Sequence, residues 1–499
     1  MNELPSAVQV DQCPADTAET VDVLIVGGGV CGTALLFELA RYTDLQRVLL
    51  VERYGQLAQV NSKPTNNSQT IHCGDIETNY SLEKAVRVKR TAEMIVHYAE
   101  LLEPAVRERC VFRTPKMVLG VGSQECAFLR QRFQQFSPHF PAMELLEKQD
   151  IAAWEPQVAH RNGSLRNEEL LAIGIRDTYT AVDYGALAHS FVDQANAAVQ
   201  GSTRQLDVAM GVQVERISIE RDPDGRVADG NSFVVTLIPT PGHGKGPRRQ
   251  VRARHVVVNA GAHSLLMAQQ MGYALEYSCL PVAGSFYFTP DLLKGKVYTV
   301  QNDKLPFAAI HGDPDVGAPG KTRFGPTALL LPQLERYRAA SFWEFLKVLR
   351  LDWAVFTVLW QLFRVADIRN YIVKNLLFEV PLLRRWLFLG DARKIVPDMQ
   401  LGDLRFAEGY GGVRPQLIHK GERRLMLGEA RIKATDGLVF NVTPSPGGTC
   451  CLGNAAEDLS AIAARLGCGV DLERLERELY GSASGPDSGA AAEQVVVAG

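Results

Sequence analysis

A glycine-rich turn near the start of the chain constrains the fold more than any other feature of the sequence. Residues 21–26 read VDVLIV, a run typical of a buried strand, and Gly27, Gly29 and Gly32 lead from it into the helical pattern TALLFELARY. A second apolar run, RVLLVE, ends at Glu52, twenty residues beyond Gly32. Strand, turn, helix and acid at this spacing predict a dinucleotide-binding βαβ unit.

Each of these residues has a physical role in such a unit. Gly27 permits the tight turn, Gly29 lets the backbone approach a pyrophosphate at the helix N-terminus, and Gly32 permits close packing of helix on strand. We expect Glu52 to accept the ribose hydroxyls and the adjacent Arg53 to line the same site. The alternative is a glycine turn that binds no ligand.

The remaining sequence favours FAD over NAD as the bound dinucleotide. No second strand-turn-helix fingerprint occurs in the sequence, because Gly242-His243-Gly244 is followed by KGPRR in a polar loop. A nicotinamide cofactor that must dissociate therefore has no separate binding site. The run RHVVVNAGAH reads as a buried strand ending in small residues, which would return the backbone at Asn259, Ala260 and Gly261 to the cofactor.

A Pro/Gly turn near the C-terminus is the third feature that favours FAD. The sequence NVTPSPGGTCCLG immediately precedes a predicted helix, so the turn offers free N–H groups and a positive helix end to the cofactor. We assign Ser445, Gly447, Gly448 and Thr449 to this contact. A plain helix cap is the alternative.

Composition excludes several classes of function. A formal charge of -3 and a pI near 6.4 give no field that would recruit nucleic acid. Nine cysteines without metal-ligand spacing fit reduced thiols, and we expect no metal site. Residues 1–19 do not read as a secretory signal, and no long uncharged apolar run predicts a spanning helix. We therefore expect a cytoplasmic location.

The predicted fold is α/β, a two-dinucleotide-binding-domain flavoprotein with a discontinuous Rossmann-like FAD domain and a substrate domain built on an antiparallel sheet. We assign 20–110, 181–280 and 391–480 to the FAD domain and 111–180 and 281–390 to the substrate domain. Residues 1–19 and the Gly/Ala/Ser-rich tail 481–499 are predicted to be disordered. The clearest predicted helices cover 82–102, 184–199 and 454–466.

The chain resembles the glycine-oxidase or D-amino-acid-oxidase type of flavoprotein, and within that superfamily the malate:quinone oxidoreductases. The resemblance rests on VDVLIVGGGVCGTALLFELA, NNSQTIHCGDIETNYSLEKAVRVKR, RFGPTALLLP, GYGGVRPQL and NVTPSPGGTCCLGNA. It implies bound FAD, oxidation of malate to oxaloacetate, and delivery of electrons to membrane quinone. It also suggests the L configuration of the hydroxy acid.

By the same resemblance, residues 66–74 run under the flavin. The stretch NNSQTIHCG is rich in small polar groups, as a loop that lines a cofactor would be. We assign Asn67 and Ser68 to the cofactor, together with position 213, which is Gln213 at the start of a predicted strand. His72 could contact the flavin or act as an acid or base, although a lone histidine is often structural.

Oxidising an alcohol beside a carboxylate requires a base for the hydroxyl proton and cations for the carboxylates. We expect His311, at the end of an apolar strand, to be the base, with His72 as the second candidate. Arg323 and Arg414 lie among glycines and prolines, and we expect them to clamp the two carboxylates of malate. The alternatives are a turn-capping histidine and ordinary exposed arginines.

Residues 341–390 hold four of the five tryptophans, with seven Lys or Arg against four Asp or Glu. Charges interrupt the segment too often for it to cross a bilayer, whereas Trp and Leu beside Lys and Arg suit an interfacial helix. We expect it to dock on anionic lipid at the inner face of the cell membrane and to let quinone reach the flavin. A helical hairpin packed on the protein core, or at a dimer interface, is the alternative.

Three other functions stay open from the sequence. Another quinone-linked 2-hydroxyacid dehydrogenase, for example one acting on L-2-hydroxyglutarate, would need a similar arginine clamp. An oxygen-using amine or amino-acid oxidase has the same fold. A flavin-bound membrane adaptor would carry the cofactor without the reaction.

Overall fold

The computed structural model describes residues 19–220, 232–301, 310–381, 383–426, 430–444, 446–481 and 495–498. In chain order the strands are β1 Glu19–Val26, β2 Arg47–Glu52, β3 Val111–Arg113, β4 Lys116–Val121, β5 Glu144–Glu147, β6 His160–Arg161, β7 Ser164–Leu165, β8 Leu170–Ile175, β9 Tyr179–Val182, β10 Gln205–Met210, β11 Val212–Ile219, β12 Phe233–Pro239, β13 Arg249–Val258, β14 Tyr277–Ala283, β15 Tyr287–Pro290, β16 Lys296–Thr299, β17 His311–Pro314, β18 Lys321–Gly325, β19 Leu329–Leu330, β20 Arg405–Phe406, β21 Val413–His419, β22 Arg424–Met426, β23 Ala430–Thr435, β24 Leu438–Val442 and β25 Val495–Ala498.

The helices are α1 Val30–Tyr42, α2 Leu82–Glu100, α3 Pro104–Cys110, α4 Ser123–Phe136, α5 Lys148–Trp154, α6 Pro156–Ala159, α7 Tyr184–Val199, α8 Ala262–Gln270, α9 Ser341–Leu349, α10 Trp353–Arg364, α11 Ala366–Leu377, α12 Arg384–Ala392, α13 Cys451–Leu466 and α14 Leu472–Leu475. The three helices predicted most clearly from the sequence correspond to α2, α7 and α13. The first predicted strands correspond to β1 and β2.

A nine-stranded sheet forms the dinucleotide-binding half of the molecule. Its centre is parallel in the order β10-β2-β1-β13-β24, with Val23 paired to Val48 on one side and to His255 on the other. The side chains of β1 from Val23 to Val26 are buried because helices cover one face and the β11–β12 hairpin and α8 cover the other. The carboxyl ends of β1, β2 and β13 therefore meet at one edge, where ligands bind in such sheets.

An eight-stranded sheet forms the second half, in the order β20-β15-β18-β17-β16-β4-β8-β5. Its pairs are antiparallel except β16 with β4, so the predicted antiparallel sheet is confirmed. A four-stranded sheet, β19-β14-β21-β22, packs side chains of β14 and β21 into the core of the first half. The predicted α/β flavoprotein fold class is therefore confirmed.

Two predicted boundaries differ from the structure. Within the stretch 391–480, given to the FAD domain, Arg405–Phe406 pairs with β15 and so joins the eight-stranded sheet of the second half. Residues 495–498 form a strand that pairs parallel with β23, so the expected disorder of 481–499 is wrong there. The rest of that prediction, and residues 1–18, lie outside the described residues.

The aromatic-rich segment folds as the four helices α9 to α12. Its four tryptophans, Trp343, Trp353, Trp360 and Trp386, are each more than half exposed. Part of α9 is buried: Phe345, Val348 and Leu349 pack on the core beside α8. Across the ranges that the structure describes, no helix has the length and apolar character needed to cross a bilayer.

Candidate active site

A cavity of about 420 Å³ opens where β1, β2 and β13 end, and the glycine turn forms its floor. Gly27 has a φ of +113°, and a Cβ there would lie 2.4 Å from the Asn259 carbonyl oxygen. A Cβ on Gly32 would lie 1.9 Å from the Gly27 carbonyl oxygen, so α1 reaches β1 only because neither residue has a side chain. Gly27 and Gly29 line the cavity, whereas Gly32 packs behind it.

Glu52 holds the turn from the next strand. Its two carboxylate oxygens accept from the Gly28 and Tyr54 N–H groups, at 2.6 and 2.9 Å. Burial raises the pKa of Glu52, and the two backbone hydrogen bonds oppose that shift. Glu52 and Arg53 both line the cavity, and the predicted contact of Glu52 with a ribose stays a prediction.

The same end of the cavity carries charged residues that the sequence analysis did not assign. His263, on α8, places Nε2 2.8 Å from a carboxylate oxygen of Glu344, on α9, and Arg53 pairs with Glu335 at 3.3 Å. Burial raises the pKa of Glu344, but His263 and Arg338 outweigh it and hold the value at about 2. Because both arginines already neutralise these carboxylates, we assign no metal to the cluster.

Most of the other predicted cofactor residues lie together on the cavity wall. These are Asn67, Ser68, Gln213, Asn259, Ala260, Gly261, Gly447 and Gly448. Ser445 lies outside the described residues. Thr449 is buried just behind the wall, where its hydroxyl accepts from the His72 N–H at 3.1 Å and lies 3.1 Å from the Tyr184 hydroxyl. The C-terminal turn and the 66–74 loop are thereby joined through one threonine.

His72 lines the cavity and is oriented by a carboxylate. Its Nδ1 lies 3.0 Å from Oε1 of Glu77, which is buried below the wall. Burial alone would raise the pKa of Glu77, but the hydrogen bond from His72, the charge of that ring and Lys116 outweigh it, so the pKa lies below its ordinary value. A cavity histidine whose Nδ1 is held by a carboxylate has the arrangement of a general base that is fixed by an acid.

Glu77 belongs to a buried ion cluster. Lys116, on β4, pairs with Asp75 at 2.8 Å, and both side chains are almost wholly buried. The charge of Asp75 raises the pKa of Lys116 despite the opposing effect of burial, so this lysine stays a cation. The cation of Lys116 beside Asp75 and Glu77 favours the ionised form of Glu77. Sequence spacing could not indicate this contact, because Lys116 lies 39 residues beyond Glu77 in the chain.

His311 and Arg323 lie behind the cavity wall, and neither is among the residues that line it. The His311 ring stacks on Tyr298, with centroids 4.5 Å apart, and its Nε2 lies 3.3 Å from Asp313. Arg323 is wholly buried, pairs with Asp315 at 3.2 Å and with Asp313 at 3.5 Å, and donates to the Asn67 carbonyl at 3.2 Å. Two carboxylates already hold the Arg323 guanidinium, and its predicted role as a substrate clamp stays a prediction.

Strand register explains this buried network. Lys116, Lys296, Asp313 and Arg323 are direct neighbours across β4, β16, β17 and β18. The Lys296 ammonium donates to the Thr70 hydroxyl at 2.7 Å and to the Ser68 carbonyl at 3.2 Å, and burial lowers its pKa. The row of charges supports the 66–74 loop from beneath.

Arg414 lines the cavity, as His72 does, and its predicted role as a clamp for a malate carboxylate stays a prediction. It comes from β21, where it pairs with Val282 of β14. Its charge lowers the pKa of the Tyr298 hydroxyl slightly against the dominant effect of burial, so Arg414 and Tyr298 share one neighbourhood. A cation and an imidazole thus face the same space.

The residues present fit FAD. The cavity runs from the Glu52 carboxylate, past the N-terminus of α1, to the turn at Gly447 and Gly448, which matches a ribose, a pyrophosphate and a ring system in that order. A Cβ on Gly448 would lie 2.7 Å from the Tyr184 ring, so the backbone there approaches its neighbours closely.

Comparisons with known proteins agree with this geometry. The family described as Malate:quinone oxidoreductase (Mqo) matches residues 19–452. A probable malate:quinone oxidoreductase of Campylobacter jejuni is 45% identical over 464 residues, covering 92% of this chain and 98% of the relative. The malate:quinone oxidoreductase of Helicobacter pylori is 42% identical over 461 residues, covering 92% and 97%.

Solved structures share the fold at low sequence identity. An L-alpha-glycerophosphate oxidase from Mycoplasma pneumoniae with FAD bound has a TM-score of 0.56 at 19% identity, covering 89% of this chain and 95% of that one. Glycine oxidase from Geobacillus kaustophilus has a TM-score of 0.57 at 16% identity, covering 90% and 95%.

Proposed function

The chain belongs to the malate:quinone oxidoreductase family, and from that premise we propose which of its residues perform the reaction. The enzyme binds FAD and oxidises malate, with the electrons passing to quinone. When bound, FAD supplies the acceptor for the hydride of the malate C–H bond and returns two electrons to quinone. The chain's own residues bind malate, hold it in position and remove its hydroxyl proton.

We propose that His72 is the base. It lines the cavity, and the Glu77 carboxylate 3.0 Å from Nδ1 fixes the ring and stabilises the positive charge that the ring gains with a proton. This pair is the observation on which the proposal rests. His311, which the sequence favours for this role, stacks on Tyr298 and lies near Asp313, and it is the competing candidate.

We propose that Arg414 binds a malate carboxylate. A guanidinium pairs with a carboxylate through two parallel hydrogen bonds, which would fix the substrate relative to His72. Gly412, Val413 and Pro415, its neighbours in the chain, line the cavity with it. Arg323 would then act indirectly by holding the Asn67 carbonyl and with it the loop under the substrate.

We also propose that α9 to α12 dock the enzyme on anionic lipid at the cytoplasmic face of the membrane. Exposed tryptophans are favoured at a lipid interface, and the segment carries seven Lys or Arg against four Asp or Glu. The exposed apolar residues here also include Leu351, Phe356, Phe363 and Leu376. Such a large apolar surface is unusual on a protein face with no partner.

An anaerobic titration tests the proposed site. The purified yellow protein should bleach with one equivalent of L-malate, and Arg414→Met should require far more malate while still bleaching with dithionite. A panel of L-2-hydroxyglutarate, D-malate and amino acids provides the controls for substrate choice. Full bleaching of Arg414→Met at wild-type malate concentrations would remove Arg414 from the proposal.

A further inference from the structure

We infer that the quinone head group binds where the end of α11 meets the cavity wall, at Arg336, Ser285 and Glu379. The inference rests on the proposed docking of α9 to α12, because quinone reaches the protein from the lipid. It adds the place at which the second substrate is held.

Residues next to the cavity wall in sequence contact the end of α11. Gly284 and Pro326 line the cavity. The Ser285 hydroxyl donates to Glu379 at 2.5 Å, and the Ala328 N–H donates to the Asn375 carboxamide at 2.7 Å. A ligand at Glu379 would therefore contact a residue that adjoins the cavity wall.

Arg336 bridges the two sides of this partition. Its guanidinium donates to the Gly284 carbonyl at 2.5 Å and to the Ser285 hydroxyl at 2.6 Å, and it pairs with Glu379 at 3.2 Å. Only 8% of the Arg336 side chain is exposed. A buried guanidinium is costly unless its donors are used, and the contacts with Gly284, Ser285 and Glu379 fix Arg336 in this cluster.

A quinone matches the chemistry of this cluster. Its two carbonyl oxygens are acceptors for guanidinium and hydroxyl donors, and the hydroxyls of the quinol are donors for the Glu379 carboxylate, which is one-quarter exposed. The same cluster can thus hold both the oxidised and the reduced form.

The surface around Glu379 suits an isoprenoid tail. Val373, Leu376, Leu377, Val380 and Leu383 flank it and are all exposed, with Leu376 at 58%. These residues continue the apolar face that we propose docks on lipid. A polar cluster beside an apolar surface suits a long-tailed quinone, because the tail can stay in the lipid while the head group binds to the polar residues.

The reaction balances without any further reagent. Malate loses two electrons and two protons in becoming oxaloacetate, and a quinone gains two electrons and two protons in becoming a quinol. The established activity therefore supplies everything that the quinone site consumes, and its protons exchange with solvent at the exposed carboxylate edge.

Separate measurement of the two half-reactions tests the inference. Glu379→Gln and Arg336→Lys should keep the wild-type rate of anaerobic FAD reduction by malate and the wild-type turnover with the soluble dye dichlorophenolindophenol. The KM for a short-chain ubiquinone analogue should rise about tenfold or more, as expected when a charge-assisted hydrogen bond is lost. Asp391→Asn is the matched control, because it removes the surface pair between Asp391 of α12 and Lys374 of α11 at 2.5 Å.

Vesicle binding separates failure of this inference from failure of the docking proposal. Both variants should co-sediment with anionic vesicles as the wild type does. Unchanged quinone kinetics in Glu379→Gln would overturn the site, as would a quinone KM raised equally in Asp391→Asn. If Arg336→Lys yields no folded protein, Glu379→Gln decides alone, because its side chain is partly exposed and keeps its volume.

Discussion

The Nδ1 atom of His72 lies 3.0 Å from Oε1 of Glu77, and this contact joins the wall of the active-site cavity to a carboxylate buried beneath it. Glu77 in turn lies beside Asp75 and Lys116, whose ion pair spans 2.8 Å. A cavity histidine with a fixed carboxylate partner is a candidate base whose orientation is determined before substrate arrives.

Exchange of His72 should therefore slow the chemical step. We expect His72→Gln to reduce the rate of FAD reduction by malate about 10²- to 10⁴-fold, the usual contribution of a general base. Anaerobic stopped-flow absorbance measures this rate directly. His311→Gln is the paired comparison, and a larger loss in that variant would return the role of base to His311.

Glu77→Gln should act through His72. Without the carboxylate charge, the positive charge that the His72 ring gains with the substrate proton is less stabilised, so proton removal should slow. The rate of FAD reduction should also fall because the amide no longer fixes the ring. Anaerobic stopped-flow reduction by malate checks this, and a wild-type rate in Glu77→Gln would contradict the assignment.

The exposed tryptophans should determine lipid binding. Replacing Trp343, Trp353, Trp360 and Trp386 with Ser should weaken co-sedimentation with anionic vesicles about tenfold or more, because large apolar surfaces no longer enter the interface. Leu472→Ser is the control, since Leu472 is 60% exposed and lies outside the segment. Retained lipid binding, together with a change in oligomeric state, would favour the dimer-interface alternative.

Glu38 should make stability depend on pH. It is fully buried in α1, and neither of its oxygens has a hydrogen-bond partner among the described residues. Burial, with a smaller contribution from Asp458, raises the pKa of Glu38 well above its ordinary value. In the folded state Glu38 therefore keeps its proton over a pH range in which the same carboxyl group of the unfolded chain has already lost it.

The sign of the effect follows from this proton. Between the unfolded and folded pKa values of Glu38, the free energy of unfolding should fall as pH rises, by up to about 1.4 kcal/mol per pH unit. Glu38→Gln should remove that part of the slope and be relatively more stable at pH 8 than at pH 5. Urea unfolding at several pH values measures it, and parallel curves for both proteins would refute the prediction.

Local patterns gave a large part of the fold. The strand, turn and helix around Gly27 and Gly32 could be predicted because their requirement for a missing Cβ is set by residues close in sequence. The long helices were predictable for a similar reason, since their apolar spacing repeats within one segment. The domain boundary near residue 391 could not be predicted in this way, because the pairing of Arg405–Phe406 with β15 joins segments more than a hundred residues apart.

The candidate site shows the same division. Arg414 and His72 could be chosen from the sequence, whereas Arg323 and His311 looked equally suitable there. Only the register of β16, β17 and β18 shows that Arg323 faces Asp313 and the underside of the Asn67 loop. Residue type indicates which chemistry a side chain can perform, but a strand's pairing partners decide which space it enters.

The sequence by itself determined that this chain builds a dinucleotide site at the end of a parallel sheet, because glycine sterics and the spacing to Glu52 are local properties. The tertiary structure alone decided that His72 faces the cavity, that Glu77 and Lys116 lie beneath it, and that Glu344 of α9 closes the far end. Those contacts join distant segments, and burial changes the protonation of the groups they bring together.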